Sequence, residues 1–592
     1  MATERYRVGD LVVDVGTGSV LRKGRRQDLP PLSFALLASL LRRAPDIVRR
    51  EELLSEVWSD VVVGDETLSQ RVRLLRESLG DNAREPRYVE SVRGWGYRIA
   101  VPIDRLDSTD HRVAGVAVLP FANLSGAPED DYLCEGLAEE IITALTEIPG
   151  LRVIARTSSF VVGRMGLDVC EIGARLSASN VLEGSVRRAG SRVRVTVQLV
   201  AIADGSHLWS ERYDRELTDI LELQDDIADA VANRLRVELG AGERKRPLRA
   251  VNSTAYHAYL KGRYHFARAT PDDLKEAKAC FEHAISSDRG FARASDAMAE
   301  LFWYLGFFGA MPPRDAFEQS TWYAVRALEL DSTLADTHAL LAMLRKELDY
   351  NWPEVNRELE RALELSRDSP IVRLRYAIAG LMPHGRLEEA LAEVEQVLES
   401  DPLSLFVNWT LGYMAYFARI PERAIATGRH MADMDHSSFL AHWVLSVGLE
   451  EVGDLAGAVT AMRRANVLSG GTPFTKGFLA RVLGEAEAYD EVRHMVDEMT
   501  RSAASRYYPP SAIALGHIGL GQWDDAFAWL NQAIDQRDPI IMPVKSFPFL
   551  DPVRNDARYQ KLLHRMNLDQ HREDAREDAL IGTRSDTSDD FG

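Results

Sequence analysis

Three arginines fall within six positions of one helical pattern, "ETLSQRVRLLRESLG" at 66–80: Arg71, Arg73 and Arg76. A guanidinium fork engages two acceptors at once, on a phosphate or on a purine edge, so this cluster has the chemistry to read a polyanion that carries bases. Turning the helix by about 100° per residue gathers Leu68, Val72, Leu75 and Leu79 into one apolar stripe. Gln70 and Arg73 then point away from the stripe, and Arg71 and Arg76 flank it. Glu66 and Glu77 share that outer face, so a solvated helix held by salt bridges competes with the recognition reading. The stretch "VRGWGYRIA" at 92–100 tips the balance. Glycine packs nothing and is entropically costly to order, so Gly94 and Gly96 suit a tight turn and a close backbone approach. Two strands, Arg87–Val92 and Gly96–Val101, then form a hairpin with Arg93 and Trp95 at an exposed tip. Arginine there can enter a minor groove or pair with phosphate. Tyr97 alternates back toward the core.

The elements that must position this pair lie upstream. Alternating segments, "RVGDLVVDV" and "SVLRKGRRQDL", flank a Gly-Thr-Gly turn and predict an antiparallel β start. Helical patterns follow at "SFALLASLLRRA", with Ser33 as N-cap, and at "REELLSEVW", Arg50–Trp58. Gly80 closes the third helix as its C′ residue. In this order, with Glu51-Glu52-Leu53, Val57-Trp58, Leu74-Leu75-Arg76 and Val92-Arg93-Gly94-Trp95-Gly96-Tyr97 as motif residues, residues 6–101 resemble the winged-helix DNA-binding domain of OmpR/PhoB-type response regulators. The resemblance implies that the Thr67–Leu79 helix enters the major groove of double-stranded DNA and that the Arg93–Trp95 tip touches backbone or minor groove. It nominates Thr67, Ser69, Gln70, Arg71, Arg73, Arg76, Arg93, Trp95 and Arg98 as DNA-binding residues. Leu74 departs from the pattern, where relatives often carry arginine. Relatives bind tandem half-sites, which implies a possible dimer on DNA. No receiver domain is expected ahead of it, and the arrangement resembles one-component regulators of the CadC/ToxR class.

The whole chain, 592 residues with a net charge of -19, argues against a polyanion partner, but the charge is uneven. Residues 1–103 hold 17 basic and 15 acidic side chains, a net of +2, which leaves -21 for the rest. Cys134, Cys170 and Cys280 lie too far apart for a disulfide framework or a metal-ligand spacing. No window approaches the ~20 apolar residues of a membrane span, and the N-terminus has no signal region, so a cytoplasmic protein without membrane contact is expected.

Residues 104–112, "DRLDSTDHR", predict a linker. From 113 to 240, "VAVLPFANLSG", "VLEGSVRRAGSRVRVTVQLV" and "LWSERYDREL" predict an α/β unit and resemble the TolB-like domain found with bacterial regulators and some class III adenylate cyclases. The acidic run Glu129-Asp130-Asp131 precedes a helix and suits its dipole better than a metal. Nothing in the chain supplies the paired metal-binding aspartates of a cyclase. Only shared domain company suggests a link to cyclic-nucleotide synthesis.

From 251 to 569 the pattern is helical and periodic. Val355, Ala390, Ala424, Ala458, Val492 and Ala526 follow one another at steps of 35, 34, 34, 34 and 34. That period marks tetratricopeptide repeats, and Ala277 and Ser320 extend it to about eight helix pairs. The groove of such a solenoid commonly takes a protein or peptide, here unknown. Trp303, Tyr304, Trp322 and Trp443 are expected in the interhelical core. The tail from Gln570 to 592 is acidic and expected to be disordered.

The expected fold is therefore multidomain, α+β followed by all-α: an N-terminal winged helix (1–103), a central TolB-like α/β domain and a C-terminal α-solenoid. No P-loop, dinucleotide fingerprint, serine elbow, HExxH or CxxC occurs, so neither an enzyme nor a cofactor is expected. The function expected is sequence-specific transcription regulation, the other two regions serving signal input or protein interaction. The alternative is a repeat-protein scaffold whose winged helix makes protein contacts.

Overall fold

The computed structural model describes residues 5–9, 11–15, 19–22, 25–27, 29–58, 64–82, 86–92, 94–101, 103–106, 115–146, 148, 151–239 and 252–569. The chain divides into two compact units, Met1–Ala114 and Gly115–Gly592.

In the first unit, strands β1 (Arg5–Val8), β2 (Leu11–Asp14), β3 (Ser19–Arg22) and β4 (Arg25–Gln27) form an antiparallel meander. Helix α1 (Pro31–Arg43), β5 (Val48–Arg49), α2 (Arg50–Val57) and α3 (Asp65–Ser78) follow, then a hairpin of β6 (Val89–Val92) and β7 (Gly96–Ile99). The unit closes with β8 (Ile103–Leu106), which pairs with β1 and completes a sheet of order β4-β3-β2-β1-β8. Residues 104–106, expected as linker, therefore belong to the fold, because the β1 edge offers them a ladder. The remainder of that linker, 107–112, and the acidic tail lie outside the described residues. Ser33 does not cap α1: the helix starts two residues earlier on Pro31, whose fixed φ suits a first turn, and Ser33 is buried.

The second unit begins with a mixed sheet of order β11-β9-β12-β13-β14, where β9 is Gly115–Val118, β11 Arg152–Val153, β12 Asn180–Ala189, β13 Arg192–Ala201 and β14 His207–Glu216; the short β10, Ala122–Asn123, pairs with β12. Helices α4 (Asp131–Thr146) and α7 (Ile220–Leu239) pack on the face bearing Val193, Val195 and Val197. On the other face α5 (Arg156–Gly163) and α6 (Val169–Leu176) cover β9 and the start of β12.

Sixteen helices then form eight antiparallel pairs among the described residues, from α8 (Ser253–Arg268) and α9 (Pro271–Ser287) to α22 (Pro510–Gly519) and α23 (Trp523–Gln536). Ala277, Ser320, Val355, Ala390, Ala424, Ala458, Val492 and Ala526 each occupy the second helix of a pair, and all are fully buried. The repeat thus reflects one recurring steric demand: a side chain small enough for neighbouring helices to close on it. Trp443 is fully buried, whereas Trp322, expected in the core, is 63% exposed on an outer helix, its edge against Tyr323.

Two features go beyond a free-standing solenoid. Arg263 of α8 bridges Glu139 of α4 at 2.7 Å and Glu300 at 3.0 Å, and Arg293 clamps Glu140 of α4. On the opposite side of the α/β layer Ser158 donates to Asp401 at 2.6 Å and accepts from the Leu403 amide. The α/β domain and the repeats therefore share one body. Second, Pro539–Val553 lies along the first helices of the repeats, with Phe547 5.3 Å from Phe417 and Phe549 6.4 Å from Phe478. That is the inner surface where a peptide partner was expected.

Candidate nucleic-acid interface

Helix α3 buries Leu68, Val72, Leu75 and Leu79 in the core of the first unit, as the apolar stripe requires. Glu66, Ser69, Gln70, Arg73, Leu74 and Glu77 are left on the exposed face, with Thr67 and Arg71 half-buried at its margins. Arg73 is 79% exposed and reaches Glu77 one turn on at 2.8 Å, which raises its pKa. Solvent screens a pair so exposed, and a competing phosphate or base edge can take the guanidinium. Gly80 ends the helix at φ +58°, as its C′ position predicts.

Arg76 departs from the expectation. Only 9% exposed, it turns inward: Nε and Nη2 donate to the Val89 carbonyl at 3.1 and 2.7 Å, and Nη2 also to Ser91 Oγ at 3.0 Å. Its guanidinium holds the hairpin against the recognition helix instead of facing solvent. Asp81 works from the other side, its carboxylate accepting from the backbone amides of Arg87, Tyr88 and Val89 at 2.6 to 3.0 Å. A cation at the helix C-terminus and an anion just beyond it thus fix the angle between helix and wing.

At the wing tip the Trp95 amide closes the turn on the Val92 carbonyl at 3.0 Å, and Gly94 takes φ +80°. Gly96 has a different reason: a Cβ there would stand 2.0 Å from the Val48 carbonyl oxygen of β5. Both glycines are therefore steric requirements of the hairpin. Trp95 is 61% exposed, Tyr97 is buried under the helices, and Arg93 lies outside the described residues. Arg98 pairs across the hairpin with Glu90 at 2.7 Å. Exposed Arg87, at the base of the wing, was not singled out from sequence, because no periodicity marks it.

Residues 24–99 match the family described as transcriptional regulatory protein, C terminal. The N-terminal unit is an OmpR/PhoB-type winged-helix DNA-binding domain. Among relatives, a Rhizobium meliloti (strain 1021) protein assigned, by name only, as adenylate cyclase 3 is 36% identical over 232 residues, 38% of this chain and 39% of that protein. The chain thus spans about two fifths of that relative's length. The transcriptional regulator HilA of Salmonella typhimurium is 24% identical over 476 residues, 78% of this chain and 82% of HilA. The RstA DNA-binding domain of Klebsiella pneumoniae, solved in complex with the RstA box, is 30% identical over 16% of this chain and 96% of its own, with a TM-score of 0.16. Among the described residues no helix is long and apolar enough to cross a membrane.

Proposed function

We propose that the chain is a cytoplasmic, non-enzymatic, sequence-specific transcription regulator. Helix α3 of the winged-helix domain docks in the major groove, Ser69, Gln70 and Arg73 face base edges, and Thr67 and Arg71 contact the flanking backbone. The tip at Arg93 and Trp95 meets the adjacent minor groove or phosphate, with Arg98 behind it. Arg76 positions the wing. The single observation that carries this reading is the outward face of α3 standing beside an exposed tryptophan hairpin that Arg76 and Asp81 lock to it. The second unit serves signal input. A protein or peptide partner would have to displace Pro539–Val553 from the inner helices or bind elsewhere.

Genomic-fragment selection with the full chain, followed by affinity at two salt concentrations, tests the proposal. Enrichment of one repeated motif, with binding that weakens steeply between low and physiological salt, is the expected result. The scaffold alternative has two observations in its favour, Leu74 36% exposed on the outer face of α3 and Arg73 and Arg98 already paired to glutamates. It predicts no motif and no salt-dependent binding.

A further inference from the structure

The edge of the central sheet carries a charge pattern complementary to itself. Among the described residues β14 is the last strand of its sheet, with β13 as its one strand neighbour. The Leu217 amide donates to the Ser191 carbonyl at 2.7 Å, and the register pairs Tyr213 with Val195. Antiparallel bonding alternates, so the odd-numbered residues of β14 face β13 and the even-numbered ones, Ser210, Arg212, Asp214 and Glu216, turn their amides and carbonyls to the free edge. Among the described residues no other strand bonds to them; the Asp214 carbonyl has only a long, 3.4 Å contact from the Arg215 side chain.

Centred on Tyr213, the sequence Glu211-Arg212-Tyr213-Asp214-Arg215 reads acid, base, ring, acid, base. Paired antiparallel with a second copy about a twofold axis through Tyr213, each Arg212 stands opposite the other copy's Asp214 and each Glu211 opposite its Arg215. The symmetry keeps opposed residues on the same sheet face. Centring on Arg212 or Asp214 instead sets like charges directly opposite one another, which disfavours those registers. The Tyr213 register also makes Arg212 and Asp214 a hydrogen-bonded pair, the geometry their edge-facing backbone groups require. Ser210, Glu211, Arg212, Asp214 and Glu216 are exposed. The pairings that these residues and Arg215 now make, Asp214 with Arg194 and Arg212, Glu216 with Arg192, Glu211 with Tyr213, and Arg215 with Asp226 of α7 at 3.0 Å, lie within the chain and leave the backbone edge open.

We propose that two copies of this chain associate through β14, joining their sheets in the register centred on Tyr213. A strand edge buries little area, so the association is weak, on the order of micromolar. It does not rest on the DNA-binding proposal, although it would bring two winged-helix domains into one assembly.

Sedimentation equilibrium of the full chain without DNA tests it. The wild type is expected to rise from 66.2 kDa toward twice that mass at tens of micromolar. Arg212→Pro removes an edge-facing amide that β13 does not use, and it should stay monomeric with unchanged circular dichroism. Glu211→Arg should weaken association at least tenfold, and Glu211→Arg with Arg215→Glu, which restores opposite charges, should recover it. A wild type monomeric up to about 100 µM overturns the proposal, and so does a dimer indifferent to both single substitutions. Association that the double variant fails to rescue would overturn the register.

Discussion

Replacing Arg76 with methionine separates positioning from reading. The side chain keeps most of its apolar length and loses the donors that hold the Val89 carbonyl. A hydrogen bond from a charged donor contributes about 1.5–3 kcal/mol net, and both nitrogens share one carbonyl, so they count once. The Ser91 bond is exposed at its serine end and adds little. The expected loss is therefore about 2–3 kcal/mol. In a domain of roughly 100 residues each kcal/mol lowers the transition temperature by about 4–8 °C, so the transition should fall by about 10–20 °C. The assay is a thermal melt of residues 1–114, a compact unit with its own core, joined to binding titrations at several salt concentrations well below either transition. Because Arg76 touches no phosphate in this reading, affinity for operator and random DNA should fall by the same factor and the salt slope should not change. An unchanged transition temperature with a salt slope lower by about one would refute the reasoning and return Arg76 to the DNA-contacting set.

Other predictions follow from neighbouring geometry. Arg73→Ala should weaken operator binding roughly 10- to 100-fold while leaving random DNA nearly unaffected, as competition titrations would reveal. Trp95→Ala should leave the melting transition in place and reduce affinity for all sequences, since the ring is exposed. Phe547→Ala empties an aromatic contact on the inner helices and should destabilise the second unit by about 3–5 kcal/mol in denaturant unfolding. Burial, aided by Glu300, raises the Asp296 carboxyl to about 7, so the folded state holds a proton there that the unfolded chain has released. Stability from that proton is complete below the ordinary aspartate range and fades as pH rises through 7. Asp296→Asn, which can keep the contact with Thr337, should flatten the pH dependence of the second unit's transition between about 4 and 7; an identical slope in both proteins would contradict it.

Features set by local sequence were readable in advance, and features set by distant partners were not. The stripe from Leu68 to Leu79 and the small residues from Ala277 to Ala526 follow from helical period and close approach alone. Helix geometry could place Arg76 on a flank, but its acceptor is a carbonyl thirteen residues on, in another element. β8 escaped because its ladder partner, β1, lies almost a hundred residues earlier. Ser33 was a plausible cap by type, yet Pro31 starts the helix before it. Pro539–Val553, rich in proline and without a helical or strand period, gave no local signal, although its aromatic rings fill the inner surface of the repeats. Arg73 and Trp95 were expected on the outside and are there.

The end of the helical array is tied to its middle. Trp352 Nε1 donates to the Met566 carbonyl at 2.9 Å, and Asn567 Nδ2 donates to the Tyr350 carbonyl, closing a loop of more than two hundred residues. An open repeat array folds from any nucleus and frays from its ends, since each unit needs only its neighbours. A closed one must bring distant segments together before its last contacts reward the ordering, which raises contact order and slows completion. Translation also releases residues 539–569 only after the repeats they cover, so the growing array stays without its own plug until they emerge. Through that interval its aromatic inner surface is bare, and deleting one internal repeat would misalign the closure as well as shorten the array.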